Sequence, residues 1–127
     1  MTVFTNFHPT ALYAGDFPRA TRSLVIASGA NAPGVPLKRG TPLGRVTATD
    51  KYIPSVKTAS DGSQVPTHVL TFDVDASAAD VRVKGYETGE FAGEVMPIDA
   101  SWSIQTLDDA FRIAGRDIFI RSVGAVA

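Results

Sequence analysis

The chain has 127 residues, of which 44% are hydrophobic and 20% charged, and its formal net charge is −1. That size suits one domain with a modest core, and no apolar run approaches the ~18 residues of a membrane-spanning helix. The sequence contains no cysteine, which excludes a disulfide framework, a thiolate nucleophile and a sulfur-ligated metal and leaves packing or association to hold the fold.

The opening residues, Met1-Thr2-Val3-Phe4-Thr5-Asn6-Phe7-His8, have neither the basic nor the apolar block of a secretory signal, so an intracellular or assembled setting is expected. Charge is unevenly spread. Residues 1–45 carry Arg19, Arg22, Lys38, Arg39 and Arg45 against Asp16, a net +4, whereas residues 46–99 carry a net −5. Such a basic front and acidic middle suit head-to-tail contact between copies or an acidic partner, and equally a solvated mixed surface.

All but one of the eight prolines precede residue 70, which argues against long helices in that part. Residues 1–20 place Phe4, Phe7, Leu12, Tyr13 and Phe17 among Thr, Asn, Gly and Pro with neither helical nor two-residue period. They are too aromatic for a plain disordered tail and read as an arm that orders against a partner. Leu24-Val25-Ile26 predicts a first core strand over residues 22–27. Residues 29–40, broken by Gly29, Pro33, Gly34, Pro36 and Gly40, predict a loop. Residues 41–49 predict a strand with Pro42 at its start, and residues 52–56 continue it after the Asp50-Lys51 turn.

Asp61-Gly62 signals a tight turn, and Pro66 bounds the next strand, in which Leu70, Phe72 and Val74 are expected on the buried face and Thr71, Asp73 and Asp75 outside. Val81 and Val83 alternate against Asp80, Arg82 and Lys84, and Gly85 and Gly89 are expected to mark bends around Tyr86 before Phe91. The period then changes. Leu107, Ala110, Phe111 and Ala114 recur at helical spacing, Thr106 with Asp109 predicts a capping box, and Gly115 predicts the stop. Ile118 and Ile120, alternating with Phe119 and Arg121, predict a last strand.

Residues able to do chemistry are sparse. His8 and His68 are the only histidines and neither has an acid at ligand spacing, so no metal site is expected. Asp73, Asp75 and Asp80 fail the calcium-loop pattern, because Ala78 and Lys84 stand where Gly and Glu are required, and read as solvent-facing acids. Glu87 and Glu90 read as rim residues of a turn rather than an acid–base pair. The glycines of residues 85–93 lack the Lys-Ser/Thr of a phosphate loop, and no serine sits in a nucleophile elbow. Arg19, Arg22, Lys38 and Arg39 are too thinly spread for a nucleic-acid face. Trp102 reads as a core or interface anchor. No enzyme activity, cofactor, metal, nucleic acid, membrane or small-molecule substrate is expected.

Several segments, taken in order, resemble one family. Thr21-Arg22-Ser23, Ile26-Ala27-Ser28-Gly29, Leu37-Lys38-Arg39-Gly40-Thr41-Pro42-Leu43-Gly44-Arg45-Val46, Asp61-Gly62-Ser63, Asp73-Val74-Asp75 and Thr88-Gly89-Glu90-Phe91 are similar to the head decoration proteins of tailed bacteriophages, the lambda protein D type, over residues 10–123. Departures are the inserted residues 30–36, the long 96–105 connection and the 122–127 tail. The resemblance implies a mostly β fold, a β-clip-like bent ribbon or incomplete barrel of short strands, with one short C-terminal helix and an extended N-terminal arm. It implies a non-enzymatic capsid cement protein that binds the outer surface of the expanded head as homotrimers at three-fold and quasi-three-fold sites.

On this reading residues 1–20 form the arm that engages the major capsid protein, through Val3, Phe4, Phe7, His8, Leu12 and Tyr13, and residues 21–127 form a single head-decoration domain. Phe17, Arg19, Arg22, Lys38, Arg39 and Trp102 are candidate trimer or capsid contacts. Two other classes remain. A small trimeric β-clip nucleotidohydrolase of the dUTPase kind needs an Ala-Gly-Tyr-Asp type segment and a glycine-rich C-terminal motif, and neither is present. The other is a generic β interaction module of a phage tail or baseplate.

Overall fold

The computed structural model describes residues 12–123. Among them are strands β1 (Ala20–Ile26), β2 (Pro42–Val46), β3 (Lys51–Pro54), β4 (Pro66–Leu70), β5 (Val81–Ala92) and β6 (Asp117–Arg121), with one α-helix, α1 (Ile104–Ile113). The strands follow the order β1-β3-β2-β4-β5-β6, and β5 also pairs with β1. The first five therefore close into a ring, with β6 attached outside it in parallel to the far half of β5. The mostly β class with a single short C-terminal helix stands as the sequence predicts.

Every ring strand sends side chains inward: Leu24 and Ile26 from β1, Leu43 from β2, Tyr52 from β3, Leu70 from β4, Val81 and Val83 from β5. A second core lies between the sheet and α1, where Val69, Tyr86, Phe91, Ile118 and Ile120 meet Leu107 and Phe111, closed by Leu12, Met96 and Trp102. Val69 and Leu70 illustrate the division, since neighbours on a strand face opposite sides.

Strand β5 is the common wall of both cores and runs unbroken for 12 residues. The bends expected at Gly85 and Gly89 are absent. Gly85 is a close-packing position instead, because a Cβ there would lie 2.6 Å from Leu24 Cδ1. Gly89 has φ 147°, and a Cβ there would meet the Phe91 ring at 2.8 Å. Opposite β1, Ala20 pairs with Thr88 but Thr21 with Tyr86, leaving Glu87 as an extra residue. That bulge reverses the alternation, so Tyr86 and Phe91, an odd number of positions apart, share one core.

Two further expectations are corrected. Strand β4 ends at Leu70, the chain bends at Phe72, and Val74 then pairs with Leu37. Leu70 and Val74 therefore face the ring core while Phe72 turns outward, 73% exposed. The capping box lies one turn earlier than expected: Ser103 is the N-cap, accepting from Thr106 N–H at 3.1 Å, and Thr106 Oγ1 accepts from Ser103 N–H at 2.9 Å. Asp108 and Asp109 then fall beyond the first turn. Asp108 joins helix to sheet, its Oδ1 accepting from Ile120 N–H at 2.9 Å and its Oδ2 from Arg112 at 2.7 Å. Gly115, at φ 75°, follows the helix as predicted.

Candidate functional site

Residues 12–19 form a strap that leads the chain onto the sheet. Tyr13 bridges Phe91 in antiparallel register. Ala92 N–H donates to Leu12 O at 2.6 Å, and Ala14 N–H donates to Glu90 O at 3.0 Å. The strap thus pairs with the far half of β5, beyond the part that β1 covers, and Leu12 closes the helix-side core at 4% exposure. Ala20 N–H donates to Thr88 Oγ1 at 2.9 Å, and the same hydroxyl donates to Pro18 O at 2.7 Å.

Glu90 gathers three segments. Its Oε1 accepts from Phe17 N–H at 3.2 Å and its Oε2 accepts from Arg121 Nε at 3.4 Å. A glycine at position 15 makes room for it, since a Cβ there would stand 2.4 Å from Oε1. Beside this carboxylate the Phe17 ring meets Phe119 edge to face at 5.1 Å between centroids, and Arg121 lies 5.0 Å over Phe119.

Tyr13 sits at the centre of a second cluster. Its ring meets Tyr86 edge to face at 5.9 Å, and the two hydroxyls are hydrogen-bonded to each other. Arg19 lies 3.8 Å over the Tyr13 ring and Arg39 lies 5.3 Å from its centroid, an arrangement worth about 0.5–1 kcal/mol per cation at an exposed site. Burial opposes ionisation of Tyr13, yet its hydrogen bonds with Tyr86 and Arg39 and the positive charges of Arg39 and Arg19 leave its phenol below the ordinary range. Burial and the bond to Tyr13 push Tyr86 the other way. Burial alone would lower the Arg39 guanidinium, but the two phenols raise it above its usual value.

The structure brings Tyr13, Phe17, Arg19 and Arg39 to one side of the molecule around the end of β5 and leaves the other candidates apart. Lys38 turns to Asp73, with Nζ 3.7 Å from Oδ2. Arg22 is exposed on β1. Trp102 is buried, 9% exposed, and donates its indole N–H to Ser55 O at 3.0 Å. Val3, Phe4, Phe7 and His8 lie outside the described residues. Glu90, Tyr86, Phe119 and Arg121 were not singled out as site residues from sequence, and no local spacing could have found them: Phe17 and Glu90 are 73 positions apart.

Among the described residues no group of three His, Cys, Asp or Glu side chains is placed to hold a metal, and no helix is long and apolar enough to cross a membrane. His68 is sealed in the ring wall against Tyr52, at 5.3 Å between ring centroids. What the strap and ring offer is a β body whose first described segment, residues 12–19, is bonded along the far half of β5.

A fold of this kind defines a small β structural module. The sequence matches the family model for the bacteriophage lambda head decoration protein D over residues 6–117, and the chain belongs to that family. It is a head decoration protein, a structural component of the phage capsid. No curated protein matches the chain.

Proposed function

We propose that this protein cements the expanded head from outside, binding as homotrimers at three-fold and quasi-three-fold sites and stabilising the shell. Residues 1–20 act as the arm toward the major capsid protein, with residues 21–127 as the decoration domain. Val3, Phe4, Phe7 and His8 make the capsid contacts, while Leu12 and Tyr13 anchor the arm to the body it extends. The carrying observation is the strap, pinned by Leu12, Tyr13 and Glu90 to the centre of the sheet, so that tension on the arm is passed to the core.

Apolar side chains on an extended segment suit addition to an exposed strand edge, where main-chain bonds give affinity and alternate side chains give specificity. Three arms on one trimer convert weak single contacts into firm attachment, because the second and third bind at high effective concentration. The test is sedimentation of expanded capsids lacking decoration after mixing with purified protein. Saturable co-sedimentation is expected, and protein left in the supernatant at saturating concentration would sink the reading.

A further inference from the structure

We infer that in the assembly α1 of one copy seats on a groove beside β5 of the next copy, with Ile113 against Phe72 and Asp109 against Arg82 and Lys84. This rests on the trimer proposed above and names the surfaces that build it. Three copies around an axis cannot meet through one self-complementary patch. Each joint needs two different, mutually complementary patches on the same chain.

The described residues present such a pair. Ile113 at 87% and Phe72 at 73% are the most exposed large hydrophobic side chains among them, and they lie on different elements. Phe72 walls an open groove of about 380 Å³ with Val74 and Val83. Arg82 and Lys84 stand at its edge, both exposed on β5, and no carboxylate of the described residues pairs with either. Asp73, also at the groove, is already taken by Lys38 and by Arg39 N–H at 2.7 Å, so the groove carries surplus positive charge.

The helix offers the opposite character. Asp109 is exposed one turn before Ile113 and shares its face, the spacing at which helical side chains become neighbours. No cation of the described residues pairs with it, because Arg112 turns to Asp108. A knob of Ile113 and Asp109 therefore matches a groove of Phe72, Val83, Arg82 and Lys84 in both apolarity and sign. The apolar contact supplies affinity, and the charges at the rim set orientation.

The absence of native cysteine makes the test direct. Phe72→Cys and Ile113→Cys each add one thiol at an exposed position, so the cores are untouched. The two variants, alone and mixed in equal amounts, are treated with a short bis-maleimide both in solution and bound to capsids. The mixture is expected to give two-chain products, the double variant three-chain products, and each single variant none. Asp109→Lys in the helix-side partner is expected to cut the yield about tenfold, and combining it with Arg82→Glu and Lys84→Glu in the groove-side partner to restore it. Self-linking of either single variant would overturn the proposal by showing a two-fold joint. So would a mixture that stays unlinked in solution and on capsids while both variants still co-sediment; that result leaves the decoration reading standing, whereas failure of the wild-type chain to co-sediment removes that reading instead.

Discussion

Glu90 shows how one side chain ties distant parts of this chain together. Its two oxygens hold the strap at Phe17 and the last strand at Arg121, and its backbone carbonyl takes Ala14 N–H. Each bond is worth about 0.5–1.5 kcal/mol net, so their value lies in converging on one place. His68 contributes in the opposite sense at low pH. It is 2% exposed, its Nδ1 bonds Thr67 Oγ1 at 2.8 Å, and its Nε2 has no partner among the described residues. Burial, reinforced by the charges of Arg116 and Arg22, lowers its pKa to about 4. The unfolded chain takes up a proton at this residue from about pH 6.5 downward while the folded chain stays neutral, so stability falls between those values and levels off below about 4. The expected loss is about 3 kcal/mol at ~1.4 kcal/mol per unit. Asp61, Asp75, Asp80 and Asp99, held below the carboxylate range by hydrogen bonds to their charged forms, act in a separate window: their stabilisation is lost only as pH falls below about 4. Urea unfolding at pH 7.5 and 4.5 checks this, with His68→Gln expected to flatten the difference. An undiminished difference in that variant would clear His68 of responsibility.

At the scale of elements, the strap belongs to the described body, and the proposed capsid contacts precede it. Leu12 buries its side chain in the helix-side core, a contribution of about 1.5–3 kcal/mol, and the strap adds main-chain bonds to β5. Removing residues 2–11 is therefore expected to leave a folded body with an unchanged far-UV spectrum that no longer co-sediments with capsids. Removing residues 2–15 takes Leu12 and Tyr13 as well and is expected to lower unfolding stability by about 2–5 kcal/mol in urea. If the shorter deletion still attaches at the wild-type level, the capsid contact belongs to the body. The same division explains why β5 is so long: one half completes the ring with β1, and the other carries the strap and β6.

For the whole molecule, the proposed role is thermodynamic linkage. A protein that binds only the closed, expanded shell stabilises that state by about 2.7 kcal/mol per site when free protein is a hundredfold above its Kd. Calorimetry of expanded heads is expected to show disassembly at higher temperature with saturating protein than without. Identical transitions in a preparation with full occupancy would remove the stabilising role while leaving attachment intact. None of this requires a reactive centre, only surfaces held in fixed relation by two cores that share β5.

By itself the sequence determined the class, most of the strands, the helix with its Gly115 stop, and the family. These depend on local patterns: Leu24 and Ile26 alternate, Leu107 and Phe111 recur at helical spacing, and the ordered motifs need no partner to be read. Tertiary structure alone decided that β5 runs straight through Gly85 and Gly89, that Phe72 faces outward, that Trp102 is in the core, and that Glu90 holds the strap. Each of these depends on which strand edge meets which across as many as 80 positions, from Leu12 to Ala92, and on one extra residue at Glu87 that reverses a face. Periodicity records which residues avoid water, but the partner that keeps water away is chosen only when the ring closes.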